Sequence, residues 1–257
     1  LSDDAVRPRL IMIDDVEGLL VENLTLINSP YWTLTFFARN AEVRHTNVFV
    51  DRAYQSRALT VTSETDEAES HQRRLTRVGN SILNYLPDWV GRSIRQPQDL
   101  NTDGIDPIGE NIWIHDCVVQ NADDSVGVKP PQQGRLATIQ GQNVPCTRNV
   151  TVSNMVLTGF GASVGSVGPH ENVLCVENVT FRNISMPGTG KGIHIKSNQP
   201  HNNCQNESSY VSNILYEDFV IHRPFWWAIW IGPQQQHEPG TKFDQNCPLA
   251  YGVPGFG

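Results

Sequence analysis

The stretch NIWIHDCVV, from Asn111 to Val119, decides the fold because its pattern returns along the chain. Each close copy begins with Asn and then alternates apolar and polar residues. The further copies are NVTVSNMVL from Asn149, NVTFRNISM from Asn178, NILYEDFVI from Asn213 and a looser GLLVENLTL from Gly18. Alternation with a period of two residues, rich in Val, Ile and aromatic residues, is typical of β-strands. A strand phrase that recurs at intervals of 38, 29 and 35 residues predicts a repeat protein.

A second strand-like run follows each of the four close copies: SVGVKP, SVGSVG, GIHIKS and AIWIGP. Several strands in each unit of ~20 to 40 residues, joined by Gly and Asn turns, are typical of an all-β, right-handed parallel β-helix. A β-sandwich is the alternative, but it gives no reason for one phrase to recur in one order. We therefore predict a single β-helix domain over residues 1–257, whose coils, ~4.8 Å apart, expose a flat ladder that can hold a long polymer.

Residues 51–100 interrupt the repeat with a polar, helix-compatible run, SETDEAESHQRRL. One interpretation of this segment is a surface insertion, or even a misjudged gene model. The other is a flap over a functional site, because the segment leads directly into the part of the chain richest in aspartate. The chain begins at Leu1, without an initiator methionine or signal peptide. We therefore expect a processed or truncated piece of a longer protein, with coils missing at one or both ends.

The charge balance limits the partners that the chain can have. Its 257 residues carry 19 Lys and Arg against 27 Asp and Glu, a net charge of -8. General attraction to nucleic acid or to anionic lipid is therefore not expected. The longest apolar run that contains tryptophans is the seven residues 225–231, against the ~20 that a membrane-spanning helix needs. We expect a monomer with no nucleic-acid or membrane partner.

Cysteines and glycosylation triplets suggest the compartment. The five cysteines form no CxxC pair, so disulfides are favoured over a zinc site, with one cysteine left unpaired. The triplet N-x-S/T occurs at Asn23, Asn149, Asn178, Asn183 and Asn206. Five such triplets favour a secreted glycoprotein.

Three aspartates are the candidate catalytic residues: Asp103 in LNTDGIDP, and Asp123 and Asp124 in QNADDSVGVKP. The separation of 20 residues between Asp103 and Asp123 is close to one short coil, so we expect the carboxylates on neighbouring rungs of one face. Both members of the pair can face outward only at a bend, because consecutive strand residues point to opposite sides. Crowding raises at least one pKa, which supplies the acid and the base of glycosidic hydrolysis. A solvated turn or a calcium site remains the alternative for the pair.

The strand register predicts which other side chains share this face. We expect an inward stack of Val128, Val164, Ile195 and Ile231. The outward neighbours then include Lys129, His194, Lys196 and Trp230. Lys129 and Lys196 are candidates for binding sugar carboxylates, and Trp230 for stacking on a pyranose ring. Packing in the core or over the last coil is the alternative for Trp226, Trp227 and Trp230.

At these residues the chain resembles glycoside hydrolase family 28, the polygalacturonases and their relatives. The resemblance excludes residues 51–100 and is carried by RPRLI, NSPYWT, NTDGID, the adjacent aspartates, GxSVGSVG and the HIK tripeptide. It implies a right-handed parallel β-helix, a secreted enzyme, inverting hydrolysis without cofactor or metal, and pectin, an acidic plant cell-wall polysaccharide, as partner.

The resemblance also implies roles for individual residues. Asp123 corresponds to the general acid, while Asp103 and Asp124 hold and activate the water. The acid and base of an inverting pair are expected ~6.5 to 9.5 Å apart. Asn101 corresponds to a residue that orients the first carboxylate, and Lys196 to the lysine of the family's RIK motif, which binds the substrate carboxylate.

The sequence departs from the family at two positions. The family's GHG is Gly159-Phe160-Gly161 here, and its RIK is His194-Ile195-Lys196. Phe160 cannot donate a hydrogen bond near the acid, and His194 cannot form the bidentate fork of arginine. These departures favour a modified or mixed pectin as substrate, or weak activity. Two alternatives stay open: a calcium-dependent β-helical pectate lyase, and a carbohydrate-binding β-helix whose site has decayed.

Overall fold

The chain folds into stacked parallel strands. The computed structural model describes residues 7–51, 101–131, 138–167, 174–197, 209–224 and 226–232. The strands in these ranges are β1 (Ile11–Glu22), β2 (Thr25–Ile27), β3 (Leu34–Arg44), β4 (Asn47–Phe49), β5 (Ile105–Gln120), β6 (Val126–Val128), β7 (Thr138–Ile139), β8 (Gln142–Asn143), β9 (Cys146–Leu157), β10 (Ala162–Val167), β11 (Cys175–Pro187), β12 (Lys191–Ser197), β13 (Tyr210–His222) and β14 (Trp227–Gly232). Within these ranges no helix has the length and apolar character needed to cross a bilayer.

Most of the described strands form two parallel stacks that alternate along the chain. In addition, β2 pairs with β4 beside the end of β5, and β7 and β8 form a small antiparallel pair. Long strands pair in the order β1, β3, β5, β9, β11 and β13, and short strands in the order β6, β10, β12 and β14. The repeated phrases lie in the long strands from β5 onward, and the second runs form the short strands. The prediction of an all-β parallel β-helix is therefore confirmed.

The predicted inward stack on the short strands is also confirmed. Val128 pairs with Val164, Val164 with Ile195, and Ile195 with Ile231. Val128 and Val164 are fully buried, whereas Ile231 is 68% exposed on the last described coil. In the long strands the apolar positions of the repeat stack in the same way, as in the column Ile112, Val150, Val179 and Ile214. Each buried side chain of this size contributes ~1.5 to 3 kcal/mol.

Asparagine side chains at the bends of the long strands form a ladder of hydrogen bonds from coil to coil. Asn111 donates from Nδ2 to Oδ1 of Asn40 at 3.0 Å, and Asn149 donates to Asn111 at 3.0 Å. Asn178 and Asn213 continue the ladder at 3.5 and 3.1 Å. All five have φ between 53° and 57°, a left-handed conformation that Asn adopts more readily than other side chains. The first residue of the repeated phrase is thus a bend residue.

The ladder gives a structural reason for several of the N-x-S/T triplets. Asn149 and Asn178 use their side-chain amides within it, and Asn183 donates to Asn154 at 2.8 Å in a second ladder. The triplets at these positions are therefore explained by the fold. As evidence for glycosylation they carry less weight than their number suggested.

One of the expected disulfides joins neighbouring coils. Cys146 in β9 bonds to Cys175 in β11, and Cys117 has a free, buried thiol. Cys204 and Cys247 lie outside the described residues, as do residues 52–100, so the flap interpretation stays a prediction.

We predict that Asn149→Ala destabilises the fold more than Asn149→Gly does. Both variants lose the ladder hydrogen bonds and keep the left-handed φ of 55°, but this φ costs alanine ~1 to 2 kcal/mol and costs glycine no steric strain. Denaturant unfolding of both variants measures the difference. Equal free energies of unfolding for the two would show that the backbone conformation is not what selects asparagine here.

Candidate active site

The two adjacent aspartates lie on a bend between β5 and β6, as predicted. Asn121 fixes this bend with its side chain. Its Nδ2 donates to the backbone oxygens of Thr102, Asp123 and Asp124 at 2.9, 3.0 and 2.8 Å, and its Oδ1 accepts a hydrogen bond from Ser125 Oγ at 2.9 Å. The amide thus adds to the backbone hydrogen bonds that the Asp123 and Asp124 oxygens accept from Phe160 and Gly104, and it holds the bend at which both carboxyl groups can face the same side.

The next coil packs directly against this bend. Gly159 has φ of 60°, and a Cβ added there would lie far inside van der Waals contact with the Asp123 carbonyl oxygen and Asn121 Oδ1. Phe160 donates from its backbone nitrogen to the same carbonyl oxygen at 2.8 Å. Glycine at position 159 is therefore required by a close approach between coils, whatever residue follows it.

The three candidate aspartates converge. One carboxylate oxygen from each of Asp103, Asp123 and Asp124 lies within 4.8 Å of the others, and all three residues are buried. These nearest oxygens are closer than the ~6.5 to 9.5 Å expected between the carboxyl groups of an inverting pair. A single water that bonds two oxygens at ordinary distances bridges about 4.5 Å, so the cluster has the dimensions to hold one water.

Asp123 has the character of an acid. Burial, Asp103 and Asp124 together raise its pKa to about 7, against the opposing effects of Lys196 and the Asn101 amide. Asp123 Oδ2 accepts a hydrogen bond from the backbone nitrogen of Asn101 at 2.7 Å, and its Oδ1 accepts one from that of Asp124 at 2.9 Å. Asn101 thus contacts the second carboxylate through its main chain, whereas the resemblance implied that it orients the first.

Asp124 has the character of a base. Burial by itself would raise its pKa, but Lys196, His194 and Lys129 hold that pKa well below its usual range. Lys196 Nζ donates to Oδ2, and Ser163 Oγ donates to Oδ1 at 2.8 Å. The two neighbouring carboxyl groups therefore differ in protonation at the same pH, which is the arrangement that supplies both an acid and a base.

Lys129 and Lys196 lie inside the carboxylate cluster. Lys129 Nζ is 2.8 Å from Asp103 Oδ2, 3.1 Å from Asp106 Oδ1 and 3.7 Å from Asp124 Oδ2. Burial opposes its charge, yet the three aspartates raise its pKa well above the usual value. Both lysines are buried counter-ions in this geometry. Their predicted contact with a sugar carboxylate stays a prediction.

Asp106 is a fourth carboxyl group in the cluster, and the sequence reasoning missed it. It is the second aspartate of NTDGID and is fully buried. Burial raises its pKa well above the usual value, Asp103 and Asp124 add to the shift, and Lys129 opposes it. Its place in the motif that carries Asp103 was the available signal.

Phe160, the first departure from the family motif, belongs to a group of aromatic rings around a lysine. Phe160 is buried and stacks on Trp226 with ring centroids 5.3 Å apart. Lys191 is fully buried, and the sequence did not suggest it as a site residue. Its Nζ lies 5.4 to 5.6 Å from the ring centroids of Phe160, Trp226 and Trp230. Burial lowers the pKa of Lys191 to about 8. Trp230 also packs 4.9 Å from Trp227. Its predicted stacking on a pyranose ring stays a prediction.

The departure at His194 places a neutral ring between two charged groups. Burial lowers the pKa of His194 to about 4. Its Nε2 is 3.5 Å from Lys191 Nζ, and its Nδ1 is 3.8 Å from Asp124 Oδ1 and 3.5 Å from Ser163 Oγ. Because an ammonium group only donates, we assign the ring proton to Nδ1, facing Asp124. His194 then supports the ionised form of Asp124 without itself carrying a charge.

The donor set of the cluster is poorly suited to calcium. Three buried carboxylates could in principle hold a metal ion. However, Lys129 and Lys196 already contact Asp103 Oδ2 and Asp124 Oδ2. A divalent cation would have to displace or face two ammonium groups, whereas calcium sites are built from oxygen ligands alone.

We predict that Asp123→Asn gains thermal stability relative to the wild type as pH rises. The folded chain keeps a proton on Asp123 up to about pH 7, but the unfolded chain loses it near 3.8. The wild type therefore loses free energy of unfolding between these pH values, and an asparagine does not. The difference in Tm between variant and wild type should rise by at least about 4 °C from pH 4 to pH 8, measured by calorimetry.

The matched control for this prediction is Asp116→Asn. Asp116 is exposed, and its hydrogen bond to His115 lowers the pKa of its carboxyl group. The difference in Tm between Asp116→Asn and the wild type should therefore fall, not rise, with increasing pH. A pH-independent difference for Asp123→Asn would contradict the raised pKa.

Comparisons with known proteins identify relatives of this chain. “Probable exopolygalacturonase B” of Neosartorya fischeri is 26% identical over 174 residues, which cover 58% of this chain and 35% of that protein. “Exopolygalacturonase B” of Aspergillus niger is 27% identical over 170 residues, or 62% of this chain and 38% of that protein. The chain thus spans little more than a third of the length of these curated relatives.

A solved structure shares the fold. The endo-xylogalacturonan hydrolase of Aspergillus tubingensis matches with a TM-score of 0.57 at 21% identity, covering 86% of this chain and 45% of that one. At this identity the likeness shows the fold alone. The model of the family described as “Glycosyl hydrolases family 28” matches residues 2–242 of this chain. Because this match extends over nearly the whole chain, the chain belongs to glycosyl hydrolases family 28.

Proposed function

We propose that the protein hydrolyses glycosidic bonds in a galacturonate-containing pectic polysaccharide. Asp123 protonates the leaving oxygen, and Asp103 and Asp124 position and activate the attacking water. The observation that carries the proposal is the pair of adjacent carboxyl groups whose pKa values are shifted in opposite directions, within 4.8 Å of a third carboxylate. Glycoside hydrolysis needs one carboxyl group in each state at the same pH.

We propose that the reaction inverts the anomeric configuration. The spacing of the cluster is nearer to the ~5 to 5.5 Å of retaining enzymes, but a retaining mechanism also needs a carboxylate that attacks the sugar directly. Asp124 is fully buried, and its two oxygens accept hydrogen bonds from Ser163 and Lys196, so it is better placed to bind a water than to form a covalent bond. Proton NMR of the first product anomer distinguishes the two outcomes.

The names of the relatives support the substrate class. Two fungal relatives are named exopolygalacturonase, and the solved neighbour is named endo-xylogalacturonan hydrolase. Both names refer to a polymer with a galacturonan backbone. Because pectin is a wall polymer outside the cells that degrade it, we also propose that the protein acts outside the cell, as a monomer and without a cofactor.

We predict that Asp123→Asn lowers kcat on polygalacturonate by about 10²- to 10⁴-fold, because the leaving oxygen loses its proton donor. Release of reducing sugar measures the effect, and circular dichroism checks the fold. Asp116→Asn, on a distant bend, should retain activity.

The same assay tests the two alternatives. A calcium-dependent lyase would stop in chelator and release an unsaturated, ultraviolet-absorbing sugar. A binding protein with a decayed site would retain affinity for pectin without turnover at any pH. Either result would remove the hydrolase proposal.

We predict an acidic pH optimum. The plot of kcat/KM against pH should fall above about pH 7, where Asp123 loses its proton, and should fall on the acid side only below the usual carboxyl range, because Asp124 remains ionised there. Activity that increases from pH 7 to pH 9 would contradict the role of Asp123 as the acid.

A further inference from the structure

An acidic polymer needs a cation that the protein does not already use. The lysines nearest to the catalytic cluster do not meet this requirement, because Lys129 and Lys196 are paired with buried aspartates. On the outer face of the long strands, Arg39, Arg44 and Arg148 are paired with glutamates. A basic group without a carboxylate partner is therefore better suited to add recognition of the sugar carboxylate.

Arg9 has the required properties. It is exposed, its guanidinium carbon lies 4.6 Å from the centre of the Trp32 ring, and it has no carboxylate partner among the described residues. The stacking restrains the guanidinium but leaves its N–H groups available, whereas an unsupported arginine would lose more side-chain freedom on binding. Arg9 is thus a pre-organised cation.

Trp32 connects Arg9 to the catalytic cluster. The same ring lies 4.5 Å from Lys129 Nζ, which is 2.8 Å from Asp103 Oδ2. The backbone is connected in parallel: Leu10 donates to the Trp32 oxygen at 3.0 Å, and Thr33 donates to the Asp103 oxygen at 2.9 Å. Arg9 therefore precedes a strand two coils away from Asp103, or about 10 Å at the usual coil spacing.

We propose that Arg9, supported by Trp32, binds the carboxylate of a sugar unit beside the scissile bond and makes the site selective for free galacturonate over its methyl ester. The guanidinium fork fits a planar carboxylate in a bidentate pair, and esterification removes both the charge and this geometry. The inference rests on the proposed pectic substrate, since only an acidic sugar supplies the partner.

The test measures binding separately from turnover. Calorimetry with oligogalacturonate, in the full chain carrying Asp123→Asn to stop turnover, compares Arg9→Gln with Arg182→Gln. Arg182 is an exposed arginine on the outer face of β11, so both variants lose one positive charge. We expect Arg9→Gln to weaken binding about tenfold, Arg182→Gln to change it less than about twofold, and Arg9→Lys to be intermediate because lysine lacks the fork.

Esterified ligand supplies the second comparison. Methyl-esterified oligogalacturonate should bind the parent and the Arg9→Gln variant equally. Equal binding of free oligogalacturonate by the Arg9→Gln and Arg182→Gln variants would overturn the proposal, as would an equal loss with the esterified ligand. If the wild type releases no reducing sugar but Arg9→Gln still weakens binding selectively, hydrolysis fails while the Arg9 site stands.

Discussion

The repulsion among buried carboxyl groups, and its partial neutralisation by two lysines, is the interaction on which the site depends. Two like charges 4 Å apart cost about 4 kcal/mol at the effective dielectric constant of a protein surface, and more in the interior. Stacked coils force Asp103, Asp106, Asp123 and Asp124 into one place. Lys129 and Lys196 are too few to balance four charges, so protons must remain on some of these groups. Raised pKa values of Asp106 and Asp123 are the result, and the proton on Asp123 is the one that the proposed mechanism uses.

The two departures from the family pattern are connected in the structure. Phe160 belongs to an aromatic group around Lys191, and Lys191 faces the ring of His194, which in turn faces Asp124. A cation therefore remains close to Asp124, the proposed base, although neither Phe160 nor His194 supplies it. This arrangement gives a physical reason to expect activity in a chain whose motifs suggested that it could be weak.

The asparagine ladder shows how a fold can imitate a processing signal. In the repeated phrase, a bend asparagine is followed by an inward Val or Ile and then by an outward Thr or Ser, as at Asn149 and Asn178. This order reproduces the N-x-S/T triplet because strand residues alternate between the two faces. Triplet counts in a β-helix therefore overestimate the evidence for glycosylation and secretion.

The sequence by itself determined the β-helix, the inward stack at Val128 and Val164, and the convergence of Asp103 with Asp123 and Asp124. Each of these follows from local periodicity and from a spacing close to one coil. Only the tertiary structure decided which charges pair, because Lys129, Asp106 and Lys191 meet their partners across different coils and through burial. A two-residue alternation predicts which side chains point into the core, but it encodes neither the burial of an outward-facing charged residue such as Lys129 nor the direction of a long side chain. The protonation of the site therefore belongs to the assembled coils and not to any one segment.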